Sequence, residues 1–136
     1  MKIFICCSKH LYHQVLPIKK QLEVMGHKVV LPNSFLKPLK EEELKKQDPK
    51  EHIQWKRKMI RQQNKKVEAN DAVLVLNFEK RGQKNYIGGA TFLEIFRAFD
   101  LKKKIFLYNP IPKGMLEDEL KALVTEVIEG DLLKVK

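Results

Sequence analysis

Cysteine is nearly absent from this 136-residue chain, whose only two, Cys6 and Cys7, are adjacent. Adjacent cysteines cannot staple distant segments and lack metal-ligand spacing, so a disulfide framework and a zinc module are excluded and a reducing compartment is expected. The four histidines, His10, His13, His27 and His52, show no HxH or HExxH spacing, so no metal is assigned. No apolar run approaches the roughly 18 residues of a membrane span, and the run after Met1 is too short for a signal-peptide core; the reading is a cytoplasmic protein with no membrane partner. Acid is also in short supply, with 17 Asp and Glu against 27 Lys and Arg, a formal charge of +10. That surplus excludes an acidic disordered chain and raises nucleic acids, anionic surfaces and phosphorylated small molecules as partners without choosing among them.

What is present is the pattern of one ordinary domain over residues 1–136, with no repeat, low-complexity tract or linker. Ile3 to Cys7 is a continuous apolar run of strand length, as a central strand buried on both faces requires. Leu11, Val15, Ile18, Leu22 and Met25 then recur at helical steps up to Gly26, with Pro17 implying a late start or a kink. His27 to Leu31 reads as a second strand stopped by Pro32, which completes a strand–helix–strand unit. Between Lys37 and Lys66 eleven basic residues face five acids, so this segment carries +6 of the charge. Within it Asp48, Pro49 and Glu51 make a helix start, with Ile53, Ile60 and Val67 as the expected buried stripe. A third strand is expected at Ala72–Leu76, a polar loop over Asn77–Asn85, and a helix over Thr91–Phe99 with Phe92, Ile95, Phe96 and Phe99 inward. Lys104 to Tyr108 reads as a fourth strand, Met115 to Leu123 as a helix, and Val124 to Ile128 as a short fifth strand before a Gly130-Asp131 turn.

Strands alternating with helices imply an α/β fold: three layers around a parallel sheet of four or five strands. Right-handed crossovers leave the order 2-1-3-4-5 as the expected topology, with its switch point between strands 1 and 3. Ligands of open α/β sheets bind beyond the carboxyl ends of the strands at that point, which nominates Cys7-Ser8-Lys9 and the loop from Asn77 to Gly89.

That loop ends in Asn85-Tyr86-Ile87-Gly88-Gly89-Ala90-Thr91-Phe92-Leu93-Glu94. Paired glycines let backbone approach a ligand closely and adopt positive φ, and Thr91 is placed to satisfy helix-start amides. Glu94 falls about one turn inside, where the helix dipole favours its carboxylate. An ionised carboxylate is the form a nucleophile needs.

The run Ala72–Asn77, the Lys84–Glu94 segment, Lys104–Leu107 with Asn109-Pro110-Ile111-Pro112, the opening Ile5-Cys6-Cys7-Ser8, Gly26-His27 and the closing Gly130-Asp131-Leu132 together resemble the nucleoside 2-deoxyribosyltransferase-like proteins. The resemblance spans nearly the whole chain and is strongest to a branch related to deoxynucleoside monophosphate N-glycosidases. It implies a flavodoxin-like fold, no cofactor, a homo-oligomer, and a small-molecule nucleoside or nucleotide substrate. It also implies that a glutamate, here Glu94, attacks the anomeric carbon and displaces the base, after which a second base or water takes the sugar. Transferases of this kind handle the base with an acid shortly before the nucleophile, whereas Asn85–Thr91 contains no carboxylate.

The remaining expectations come from residue chemistry. Cys7, Ser8 and Lys9 are expected to hold a sugar hydroxyl or a 5'-phosphate through backbone amides and the ammonium, and Asn77 and Asn85 to orient the ribose. Tyr86 and Trp55 are candidate stacking surfaces, Trp55 reading more simply as packing. Cys6 and Cys7 read as small buried residues. Lysines interspersed with Glu read as a solvated face, so nucleic acid is disfavoured. The alternative to an enzyme is a nucleotide-binding or sensor domain of the same fold that does no chemistry.

Overall fold

The computed structural model describes residues 1–136. Five parallel strands form one sheet in the order β2-β1-β3-β4-β5. They are β1 (Lys2–Cys6), β2 (Lys28–Val30), β3 (Ala72–Val75), β4 (Lys104–Leu107) and β5 (Glu126–Val127). The helices are α1 (Val15–Val24), α2 (Lys40–Gln47), α3 (Pro49–Ala69), α4 (Gly89–Asp100) and α5 (Glu117–Leu123). β1 lies at the centre, with Phe4 level with Val30 on one side and Val73 on the other. This is the expected flavodoxin-like α/β architecture and strand order.

Alternation along the pleat builds two cores. Ile3, Ile5, Leu74, Leu76 and Phe106 face α1 and the C-terminal Ile128, Leu132 and Val135, while Phe4, Cys6, Val73, Val75, Ile105 and Leu107 face α3, α4 and α5. Parallel strands must be covered on both sides, and the apolar runs of β1 and β3 are unbroken because successive residues face opposite buried sides.

Pro17 does not kink α1. A 3-10 turn over Lys9–Gln14 precedes it, and Pro17 sits in the first turn of α1, where its missing N–H costs no helical bond. α3 starts as the sequence predicts, Asp48 accepting from the Glu51 amide at 3.1 Å ahead of Pro49. Its inward side differs from expectation: Gln63 and Val67 are buried, whereas Ile53 is 52% exposed. The cause is length, because the first half of α3 runs past the start of α4, to which Gln63 is tied by its Nε2 donating to the Ala90 carbonyl at 3.2 Å. The inward face of α4 is Thr91, Glu94, Ile95 and Ala98, and the expected Phe96 and Phe99 point outward at 52% and 50% exposure. Thr91 is therefore no cap; Gly88 takes that position, with extended backbone, and the helix begins at Gly89.

Candidate active site

The carboxyl ends of β1, β2 and β3 open into a cavity of about 320 Å3, within the roughly 300–1,000 Å3 range of small-molecule sites. One wall is Cys7, Ser8, Lys9 and His10, leaving β1; a second is Tyr86 and Gly88 with Gly89, Ala90 and Thr91 opening α4. α2 adds Glu41, Glu42 and Lys45, and α3 adds Trp55, Lys56, Met59 and Gln63. Of the residues nominated from sequence, Cys7, Ser8, Lys9, Tyr86, Gly88, Gly89 and Trp55 thus meet around one space.

Two nominated asparagines stand elsewhere. Asn77 is fully buried and ties the end of β3 to the segment after β4: its Oδ1 accepts from the Asn109 amide at 2.8 Å and its Nδ2 donates to the Asn109 and Pro110 carbonyls at 3.0 and 3.1 Å. With its donors and acceptor committed, it has nothing left for a ribose. Asn85 adopts φ 56° and lines a separate groove with Pro110, Pro112 and Met115. A left-handed turn position accounts for asparagine there.

The glycines act differently from expectation as well. Neither Gly88 nor Gly89 has positive φ. A Cβ on Gly88 would stand 3.2 Å from the Tyr86 hydroxyl, whereas one on Gly89 would meet nothing within 4 Å. Gly88 is small because Tyr86 packs over it, and Gly89 leaves the cavity open.

Glu94 does not form the cavity wall. Its neighbours one turn back, Ala90 and Thr91, do, and the carboxyl lies deeper, 6% exposed, against the Cys6 thiol. Burial pushes its pKa up to about 8, against the opposing pull of the Cys6 hydrogen bond and the Lys66 and Lys56 ammoniums. The helix dipole argument fails at this depth: Glu94 is the sixth residue of α4, beyond the free amides of the first turn, so desolvation prevails. Burial also raises Cys6, and takes Cys7 up to about 12, so neither thiol is a nucleophile at neutral pH.

The carboxylates missing from the stretch before Glu94 come from α2, which sequence reasoning overlooked. Glu41 accepts from Lys9 at 3.0 Å, His52 at 3.0 Å and Lys56 at 2.9 Å, and Glu42 also pairs with Lys9. Burial alone would raise the Glu41 pKa, but those three partners bring it down to about 2. Both residues are hydrogen-bond acceptors in the wall, not acids. Lys9 consequently reaches the cavity with its ammonium already engaged, while Lys45 carries no ion pair and Lys80 lies 4.4 Å over the Tyr86 ring. Trp55 stacks on His52, ring centres 6.2 Å apart. The signal available in sequence was Glu41-Glu42-Glu43 itself, an acidic triplet opening a helix in an otherwise basic segment.

No group of three or more His, Cys, Asp or Glu side chains has metal-holding geometry. No helix is long and apolar enough to cross a membrane. In comparisons with known proteins, no family model, no curated protein and no solved structure matches the chain.

Proposed function

We propose that this protein cleaves or transfers the N-glycosidic bond of a nucleoside or nucleotide, with Glu94 as nucleophile. The observation that carries the reading is a single buried carboxyl set one helical turn behind a glycine-opened wall of a nucleoside-sized cavity at the sheet's switch point. The resemblance of Ala72–Asn77 and Lys84–Glu94 to deoxyribosyltransferase-like proteins supports the same assignment.

In this reading the substrate enters past Gly89, where no side chain intervenes. A Glu94 carboxylate oxygen bonds to the anomeric carbon as the carbon–nitrogen bond breaks; the base leaves with the bonding electron pair and takes a proton from a lysine ammonium or the Tyr86 hydroxyl at the wall. Water or a second base then attacks the same carbon, the carbon–oxygen bond to Glu94 breaks to restore its carboxylate, and the attacking group's proton returns to the wall donor. Donors at the wall are the lysine ammoniums and the Tyr86 hydroxyl, while Glu41 and Glu42 accept hydrogen bonds. A homo-oligomer belongs to this proposal through the resemblance, and a cytoplasmic location through the two adjacent free cysteines.

The test is direct. Nucleosides and 5'-monophosphates are incubated with the protein, with and without a second free base, and released or exchanged base is separated by chromatography. Base release abolished by Glu94→Gln supports the reading; turnover unaffected by Glu94→Gln overturns it. One observation favours the binding-domain alternative: with a pKa of about 8, Glu94 is mostly protonated at neutral pH. Binding of intact nucleotides without product at any pH up to 9 would select that alternative.

A further inference from the structure

α3 presents two neighbouring stripes of side chains. Lys56, Met59 and Gln63 face the cavity already described; Trp55, Met59, Gln62 and Lys66, at steps of four, three and four residues, face a separate groove of about 410 Å3 beyond the end of β2, the edge strand of the sheet. Only Ser34, Trp55 and Met59 line both spaces, so they form the wall between them.

The opposite wall of the groove is the chain from Leu31 to Lys37, which joins β2 to α2. It is fastened to α3 at two levels. Lys66 Nζ donates to the Leu31 carbonyl at 3.3 Å; further along, Asn33 Nδ2 donates to the Met59 carbonyl at 3.0 Å and the Ser34 hydroxyl to the Met59 sulfur at 3.7 Å. The two walls are thus fixed relative to each other before any ligand arrives.

The lining divides by chemistry. Leu31, Pro32, Phe35 and Leu36 from the loop and Trp55 and Met59 from α3 supply its apolar surface. Leu36 is 88% exposed, a large apolar side chain that gains by being covered. Around this surface stand Lys37, Lys40 and Lys66, and no Asp or Glu lines the groove. None of the three ammoniums lies within ion-pair distance of a carboxylate, whereas Lys9 and Lys56 in the neighbouring cavity are both held by Glu41. Lys66 spends one of its three N–H groups on Leu31 and keeps two.

We propose that this groove is a second ligand site, which takes a small organic anion with a flat apolar body, such as an aromatic carboxylate or sulfonate. Its volume falls in the range of small-molecule sites, and its make-up matches theirs, mostly apolar walls with a few charged groups to fix orientation. A bare inorganic anion would leave the apolar walls in water, and a neutral apolar body would leave three cations unmatched. The proposal is independent of the reading of Glu94, because Lys37, Lys40 and Lys66 take no part in the cavity wall.

The test uses anilinonaphthalene sulfonate as the anion and phenylnaphthylamine, which has the same rings without the sulfonate, as its neutral counterpart. Binding is read by energy transfer from Trp55, the only tryptophan. The sulfonate is expected to bind saturably, one per chain. Lys37→Gln with Lys40→Gln should weaken it by about tenfold and leave the neutral compound unaffected, since each lost ammonium removes a charged hydrogen-bond donor. Gln62→Glu, which brings a carboxylate onto the groove stripe, should weaken the sulfonate as well. Lys37, Lys40 and Gln62 are exposed, so these variants disturb no core. Lys45→Gln with Lys80→Gln, which alters the cavity, should change neither affinity. Sulfonate affinity that is unchanged in both groove variants, or lost instead in the cavity variant, overturns the proposal. Absence of saturable binding up to about 1 mM overturns it too. Binding that falls as protein concentration rises, with a matching gain in mass by light scattering, would give the groove to a second copy of the chain and overturn the small-molecule assignment.

Discussion

Glu94 is the residue at which physical terms conflict most sharply. In the proposed reaction attack needs the ionised form, yet the burial of Glu94 favours the protonated one. With a pKa of about 8, roughly a tenth of the molecules carry the carboxylate at pH 7. The expected kcat/KM in the free enzyme therefore rises with pH and levels off above about 8; a profile flat between pH 6 and 9 would contradict a titrating Glu94. The same shift appears in stability. Between 4.5, the ordinary value, and about 8 the native state holds a proton that the unfolded chain has released. Stability must then fall as pH rises across that window, by up to about 1.4 kcal/mol per unit, and flatten above it. Glu94→Gln, neutral at every pH, is expected to lose this slope, which urea unfolding at a series of pH values will show. Asn77 makes the contrasting case of a polar residue whose bonds are all structural. Asn77→Ala leaves the Asn109 amide and the Asn109 and Pro110 carbonyls without their side-chain partner and is expected to lower stability by about 1–3 kcal/mol. Substrate binding in the folded fraction should be unchanged.

The helices divide into those whose inward face was legible and those whose face was not. α1 follows the apolar spacing at Val15, Ile18 and Leu22, its buried residues, while Leu16 and Val24 fall off that stripe and are exposed. α4 defeats the same rule in part: the sheet takes Thr91, Glu94, Ile95 and Ala98, small or polar in three of four cases, and Phe92 packs at the core's edge, while Phe96 and Phe99 face outward. A reading by spacing sees side-chain size and not the narrow space over the strand ends where a site must fit. α2 was invisible for a different reason. It buries no side chain, so no periodicity marks it, and it is held through Glu41, whose partners Lys9, His52 and Lys56 come together only after the chain has folded. Its attachment is thus electrostatic. Glu41→Ala is expected to release α2, raising hydrogen exchange of its amides toward the unfolded rate while α3 stays protected. In the wild type the same release should occur in acid: the Glu41 pKa is depressed from 4.5 to about 2, so its contribution is present above the ordinary value and lost as pH falls through the lower one. Protection of α2 that persists at pH 2 in moderate salt would show that some other contact holds it. At the start of α4, Gly89→Ala should fold at least as stably as wild type, since its Cβ meets nothing and alanine favours a helix by up to about 1 kcal/mol. Its effect should be confined to ligand affinity, measured by calorimetry against the same nucleotide.

At the scale of the whole molecule the strand order and layers were readable because each rests on coarse physics: apolar runs of strand length, crossover handedness, and the need to cover a parallel sheet on both sides. The purpose of a charge of +10 was not readable, because it depends on where the chain places each cation. Lys2, Lys28 and Lys104 open β1, β2 and β4 at the amino edge of the sheet, Lys45 and Lys80 lie at the cavity on the opposite edge, and Lys50, Arg57, Lys58, Arg61 and Lys65 are exposed along α3. Spread over both ends and one flank, these charges form no single track for a nucleic-acid backbone, and their expected role is solubility together with attraction of small anions to the cavity. Lys56 turns into the cavity wall and is bound to Glu41, so the informative variant is Arg57, Lys58 and Arg61 replaced together by Gln. Fluorescence anisotropy with a single-stranded oligonucleotide should show weak binding that fades by about 150 mM salt with a slope of about 0.7 per phosphate, each phosphate contributing one released counterion. The triple variant should lower that slope while leaving base release from a monophosphate unchanged. Tight oligonucleotide binding that persists at physiological salt and collapses in the triple variant would instead make α3 a nucleic-acid surface, and the small-molecule reading of the charge would fail.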